Sequence, residues 1–446
     1  MHETEPTELR RPWSRSDRPL ARAVRPLQDF LRSSTASAVP LLIAAVMAVA
    51  WANSPWWRGY ERIWSTPVDL AIGRWGIHED VRFWVNEGLM TAFFLLAGLE
   101  IKRELVTGEL RHRRAALMPV AAAIGGMLVP ALLYLAITAG TPASDGWGMA
   151  MPTDLALSLA ILVIAARSAP PRARPFLLTL AIADDLLTVV VVAVFYAGRL
   201  SGVWLLLAVL AVGGMFACEQ AHVRHLVPYL ALGAFTWYCT YEGGVHPALV
   251  GAVLGLLAPA HPFHRPDDVR VEIGRSTAPT EGAPTSGREA DDWIALSELS
   301  REAVSPLARI EHALLPWVNL GALPLFALAN AGVRFSGGWW SGAAERRLIA
   351  GLLVARLVGK VVGIVGTCTI LGRLRVGRLP EGIAGWKLAG VAAAAGAPFT
   401  VSLFVAGTTF PRGSSLLAAA QAGVLLAVAV CGLAALGLLR IGRPTS

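Results

Sequence analysis

The chain has 446 residues, of which 55% are hydrophobic and only 16% charged, and it carries a formal net charge of +8. A soluble domain has about a quarter charged residues, so this balance excludes a cytosolic globular enzyme. The basic excess would point to nucleic acid in a soluble protein. In a membrane protein it is what Lys/Arg-rich cytoplasmic loops produce, so no nucleic-acid partner is expected.

Residues 1–36 are polar and Arg-rich and read as a disordered cytoplasmic tail. Apolar segments follow at 37–53, 83–100, 115–139, 147–166, 175–196, 203–219, 226–241, 247–259, 312–332, 347–371, 382–407 and 415–439. That pattern predicts an all-α polytopic membrane protein of about twelve spans. The first eight lie in 37–259 and the last four in 312–439, joined by a cytoplasmic linker at 260–311, with a cytoplasmic C-terminus at 440–446. Several segments fall short of the roughly 20 residues a straight span needs, 247–259 most of all, and read as tilted, kinked or shielded.

The start of the first segment resembles a cleavable signal peptide ending at Ala48-Val49-Ala50. Its basic region is too long for one, and cleavage would leave an odd number of spans. Placing the N-terminus inside puts 27 Lys and Arg on that side against 9 on the other, so both termini are expected in the cytoplasm. In the outer loop at 66–82, Val68, Leu70 and Ile72 alternate before Gly73, which predicts a small β-hairpin, with an irregular loop as the alternative. Within the linker, Gly274–Asp292 has a flexible composition, followed by a short interfacial helix near Trp293–Arg301. Cys218, Cys239, Cys368 and Cys431 are far apart and show no ligand spacing, so they read as packing residues.

The informative residues are charges inside spans, because each costs roughly 2.5–3.5 kcal/mol at the bilayer centre even on the lenient scale. Asp154, the adjacent pair Asp184 and Asp185, and Lys360 lie there. Neighbours on a helix point about 100° apart, so the pair cannot share one contact surface and its helix must be enclosed by protein. Two carboxylates this close cannot both ionise cheaply, and a hard cation such as Na⁺ can replace the missing proton. Protons and Na⁺ then compete for the same oxygens, the minimum chemistry of an exchanger; the alternative is a structural ion pair or a buried protonated acid.

Asp154 follows Pro152, which removes a backbone donor and predicts a helix broken at mid-membrane. Ala395-Gly396-Ala397-Pro398-Phe399-Thr400 is its counterpart in the second half. Paired interruptions of this kind point to an inverted-repeat transporter, in which Asp154 and a cation offset the facing helix ends, with a simple kink as the alternative. Lys360 is the candidate partner of the Asp pair. Arg356, one turn earlier, reads as snorkelling to an interface. Glu100, Lys102, Arg103 and Glu104 at a span end read as a solvated cap, with regulation as the alternative. His246, before Pro247, reads as either a helix cap or a pH sensor.

With these residues in place, the chain resembles the NhaA sodium/proton antiporters from about residue 37 to 440. The resemblance is carried by Phe93–Leu105, Pro152-Thr153-Asp154, Ala183-Asp184-Asp185-Leu186 with Phe195-Tyr196, Gly244-Val245-His246, Ala329–Val333 and Gly359-Lys360. It implies twelve helices in inverted-topology repeats, the fourth and eleventh unwound and crossing at mid-membrane. It implies Na⁺ or Li⁺ at Asp184 and Asp185, with Asp154, Thr153 and Lys360 completing the ion-binding and proton-coupling set and no cofactor. His246, Glu100, Arg103 and Glu104 become candidates for pH regulation. The resemblance further implies electrogenic exchange active at alkaline pH, a bacterial inner-membrane location in the lipid bilayer, and a homodimer through the hairpin near 68–78. The long tail, the long 260–311 loop and Pro398 depart from the family pattern. Another monovalent cation/proton exchanger remains an alternative. An intramembrane aspartyl protease would need its two Asp on different helices, and a non-transporting channel or scaffold would not need a buried Lys with three Asp.

Overall fold

A computed structural model describes residues 38–441 apart from 74, 112, 166–169, 171, 222–225, 263–268, 270, 272–301, 336–337, 376–381 and 384. The tail expected at 1–36, the 274–292 stretch and the helix expected near 293–301 lie outside the described residues. The chain runs through α1 (Ala38–Ala52), α2 (Trp57–Trp64), β1 (Pro67–Ile72), β2 (Trp75–Asp80), α3 (Met90–Val106) and α4 (Arg113–Thr138). A 3₁₀ helix (Pro142–Ala150) leads into α5 (Leu155–Ile164), followed by α6 (Ala173–Phe195), α7 (Gly202–Gln220), α8 (Leu226–Glu242) and α9 (Val250–Leu257). Beyond the linker come α10 (Pro306–Trp317), α11 (Leu323–Asn330), α12 (Ala343–Val354), α13 (Lys360–Arg373), α14 (Trp386–Ala395), α15 (Thr400–Thr409) and α16 (Ser415–Ile441).

Among the described residues, six helices are long and apolar enough to cross a membrane, or nine if each of three bent pairs counts as one span. Of the twelve apolar segments, the remaining three correspond to α3 and α8, each of 17 residues, and the shorter Pro247–Leu257. The outward face is apolar: Val46, Leu132, Val194, Val203, Val209, Val227 and Leu433 are all exposed, as lipid-facing side chains are. The inward faces are built of small residues, such as the run Ala392–Ala395, which let backbones approach closely.

The hairpin expected at 66–82 forms. β1 and β2 pair antiparallel from Pro67 opposite Asp80 to Ile72 opposite Trp75. Gly73 takes φ +66° in the turn, a conformation open to glycine and strained for most side chains.

One close approach positions the interior. α13 lies against α4 at Gly125 and Gly363, where a Cβ on Gly363 would stand 2.2 Å from the Gly125 carbonyl oxygen. That contact holds Lys360, one turn earlier, at the centre of the molecule. Gly363→Val should therefore force α13 away from α4 and cost roughly 1–3 kcal/mol or more by overpacking. Thermal unfolding of the detergent-solubilised protein checks this; an unchanged midpoint would show that the two helices are free to separate.

Candidate functional site

The two interruptions expected from Pro152 and Gly396–Pro398 are both present. The 3₁₀ helix Pro142–Ala150 and α5 bend by 57° across their break, and α14 and α15 by 47° across theirs. A break strands carbonyls at the end of the leading half and N–H groups at the start of the trailing half, and hydrocarbon offers neither a partner. The side chains at the crossing satisfy both kinds. Asp154 caps α5 by accepting from the Leu157 amide at 3.1 Å. Its other oxygen accepts from the Thr400 amide at 3.1 Å and the Thr400 hydroxyl at 2.9 Å. One carboxylate thus serves the N-termini of α5 and α15, the positive ends of both dipoles. In return the Ser158 hydroxyl donates to the Ala394 carbonyl at the end of α14, at 2.9 Å.

The carbonyl end of the first break is served by cations from the π-turn Ala355–Gly359 and the start of α13. Lys360 donates to the Met151 carbonyl. Arg356 donates to the Pro152 carbonyl through Nη1, and to the Met149 carbonyl and the Ser402 hydroxyl through Nη2. Arg356 does not snorkel: its relative exposure is 0%. A free carbonyl end within reach is a better partner for a guanidinium than a distant interface, and its nearness to Arg356 is invisible in the sequence.

Lys360 Nζ also stands 3.1 Å from Asp184 Oδ2, and neither side chain has any solvent exposure. Asp184 Oδ1 has no hydrogen-bond donor among the described residues, nor does the hydroxyl of Thr153 find a partner. Asp185 points elsewhere, as the spacing requires. It is half-buried and lines a cavity of about 10 Å³ with Phe93, Phe94, Ala97, Thr188, Val189 and Val401. That is room for about one water-sized guest. The Thr188 hydroxyl, on the same cavity, is also without a partner among the described residues. Buried polar oxygens are nearly always paired, so the unpaired ones of Asp184, Thr153 and Thr188 call for a reason other than stability. Among the described residues no three His, Cys, Asp or Glu side chains close around a metal. The oxygens present suit a weakly held hard cation better than a resident transition metal.

A second cavity, of about 340 Å³, opens at the hairpin end and is lined by Glu87, Tyr196, Tyr241, His246 and Arg412 among others. His246 Nδ1 lies 3.0 Å from Glu87 Oε1, and Glu87 Oε2 accepts from the Ala248 amide. The other ring nitrogen of His246 meets the Tyr196 carbonyl at 3.1 Å. The Tyr196 hydroxyl accepts from the Gly148 amide and donates to the Asp145 carbonyl, which ties this mouth to the first broken helix. Burial disfavours the imidazolium, but the bond and charge of Glu87 and the Tyr196 carbonyl outweigh it and hold His246 above its ordinary value. At the opposite end Arg103 pairs with Glu311 of α10, and Glu104, expected in a solvated cap, is buried.

Comparison with known proteins gives the family. The family profile described as Na⁺/H⁺ antiporter 1 matches residues 28–439. The chain belongs to that family. It is 40% identical to the Na(+)/H(+) antiporter NhaA 2 of Sorangium cellulosum (strain So ce56), over 95% of this chain and 92% of that protein. It is likewise 40% identical to the Na(+)/H(+) antiporter NhaA of Acidovorax sp. (strain JS42), over 94% of this chain and 92% of that one.

In this chain the structure brings Asp154, Asp184 and Lys360 to one crossing, with Thr153 on the same broken segment and Asp185 on the adjoining cavity. His246 stands apart at the mouth, and Glu100, Arg103 and Glu104 at the far end of α3. Sequence reasoning missed Arg356, Ser402 and Glu87. Only the apolar company of Arg356 could have flagged it, since its partners are mostly main-chain carbonyls.

The His246–Glu87 pair has a readable pH signature. Because the folded value is raised, its stabilisation is complete below the ordinary histidine value of about 6.5 and is lost as pH rises through the folded value. The wild-type melting temperature should fall across that window, and His246→Gln should flatten the step. Melting curves collected across pH decide it; an equal step in the variant would remove His246 from the pH response.

Proposed function

We propose that the protein is a secondary active transporter that exports Na⁺, or Li⁺, in exchange for protons, serving sodium and pH homeostasis. One observation carries the reading: a fully buried carboxylate, Asp184, keeps one oxygen without a donor while Lys360 holds the other. Asp185 stands beside it on a cavity sized for a single small guest. A dehydrated cation arriving there takes oxygens that would otherwise take protons, so one cargo displaces the other. Lys360 clamps Asp184 while the cation is absent and is released from it when the cation binds. Asp154 is not a ligand in this scheme; it keeps the two breaks neutral while they move.

Finer features belong to the same proposal. The breaks fall in the fourth and eleventh apolar segments, which supports twelve spans in inverted-topology repeats. The Lys/Arg bias supports cytoplasmic termini in a bacterial inner membrane. The hairpin carries an exposed Leu70 and supplies the surface for a homodimer. Exchange of more protons than sodium ions makes transport electrogenic, and His246, Glu100, Arg103 and Glu104 sit where pH can regulate it.

Everted membrane vesicles with an imposed ΔpH test the assignment. Addition of Na⁺ or Li⁺ should dissipate the gradient, and dissipation by K⁺ alone would favour a different cation exchanger. Asp184→Asn and Asp185→Asn should each reduce Na⁺-driven dissipation by at least tenfold at equal membrane abundance. Near-wild-type exchange by either variant would sink the site.

A further inference from the structure

Arg356 is among the largest fully buried side chains of the described residues, and the exchange scheme above makes no use of it. A guanidinium stays protonated in proteins, so it is a permanent charge in the membrane interior and needs a reason to be there. Its partners are specific. Nη1 donates to the Pro152 carbonyl, and Nη2 to the Met149 carbonyl and the Ser402 hydroxyl. Ser402 lies in the first turn of α15 and itself donates to Met149 at 2.9 Å. Arg356 therefore fastens the carbonyl end of the first break to the start of the second broken helix. Lys360, four residues on, takes the carbonyl in between, Met151.

Two consequences follow. Carbonyls of an interrupted helix are ready ligands for Na⁺. Here Met149, Met151 and Pro152 are all engaged by Arg356 or Lys360, which leaves a cation the carboxylates of Asp184 and Asp185 and the hydroxyl of Thr153. The second consequence is charge. The groups facing Arg356 are Asp154 on the first break, Asp184 on α6, Cys431 on α16 and Lys360 on its own helix. With Asp154, Asp184 and Asp185 ionised and both cations present, the crossing carries one net negative charge. One Na⁺ brings it to neutrality. Without Arg356 the same site would carry two negative charges and would hold protons more tightly against Na⁺.

On the basis of the exchange site proposed above, we infer that Arg356 is a positioning residue of that site. It occupies the Met149 and Pro152 carbonyls of the first break and offsets one carboxylate, so that a single Na⁺ neutralises the crossing.

The test is exchange by purified protein in proteoliposomes, read as the pH profile and the apparent KM for Na⁺. Arg356→Gln removes the charge. Its half-maximal activity should move to higher pH by about one unit, a tenfold change in proton competition, and its KM for Na⁺ at neutral pH should rise several-fold. Arg356→Lys keeps the charge but loses the fork, so its maximal rate should fall while the profile stays near wild type. Ser402→Ala, which keeps the charge and loosens one bond, should behave like the Lys variant. If Arg356→Gln does not reach the membrane, a shifted profile in Arg356→Lys or Ser402→Ala overturns the inference. So does an unshifted profile and KM in a stable Arg356→Gln, or an equal displacement in the Gln and Lys variants, since either reduces Arg356 to a packing role. A wild-type protein that exchanges no Na⁺ fails the proposed function first and takes this inference with it.

Discussion

The structure depends on one carboxylate placed between two helix N-termini. Asp154 accepts from Leu157 at the start of α5 and from Thr400 at the start of α15. Backbone without internal partners is forbidden in lipid, so two broken helices can lie side by side in an apolar interior only if each supplies what the other lacks. The N–H ends receive an anion, and the carbonyl end of the first break receives the cations Arg356 and Lys360. Those cations come from the helix that also presses against α4 at a pair of glycines, Gly363 and Gly125.

The same neutralisation explains the unequal treatment of two adjacent acids. Lys360 is already committed to a main-chain carbonyl, and its remaining reach fixes Asp184 rather than Asp185. A buried ion pair gains little net stability from its Coulomb attraction, because desolvation offsets it. Asp184 also keeps an oxygen unpaired, which stability alone would select against. Such local conflict with the rules of folding is where function is expected to reside. Asp185 meanwhile faces Phe93, Phe94 and Thr188 across a small cavity, on an arc set only by the 100° step of the helix.

Much of this was legible in the sequence. Pro152 and the Gly396–Pro398 stretch announced the breaks inside otherwise continuous apolar segments, because proline removes a backbone donor and glycine loosens the chain. Asp154, Asp184, Asp185 and Lys360 stood out as charges in runs where lipid permits none. Gly73 after Val68, Leu70 and Ile72 announced the hairpin. Arg356 was misread because an Arg one turn from a buried Lys has the same sequence pattern whether it snorkels or points inward. Its partners are carbonyls freed by a break more than two hundred residues away. Glu104 was misread for a similar reason: a charge at a helix end reads as solvated until another element covers it. The mouth pair is equally long-range: His246 before Pro247 stood out in the sequence, but its partner Glu87 has no local signal.

Competition between Na⁺ and protons for the Asp184–Asp185 oxygens is most directly tested at equilibrium, without transport. Calorimetric titration of the purified protein with NaCl, in buffers of different ionisation enthalpy, counts the protons released for each Na⁺ bound. Release of at least one proton near neutral pH, declining as the pH is raised, is the expected result. Sodium binding that releases no protons at any pH would contradict exchange at these carboxylates.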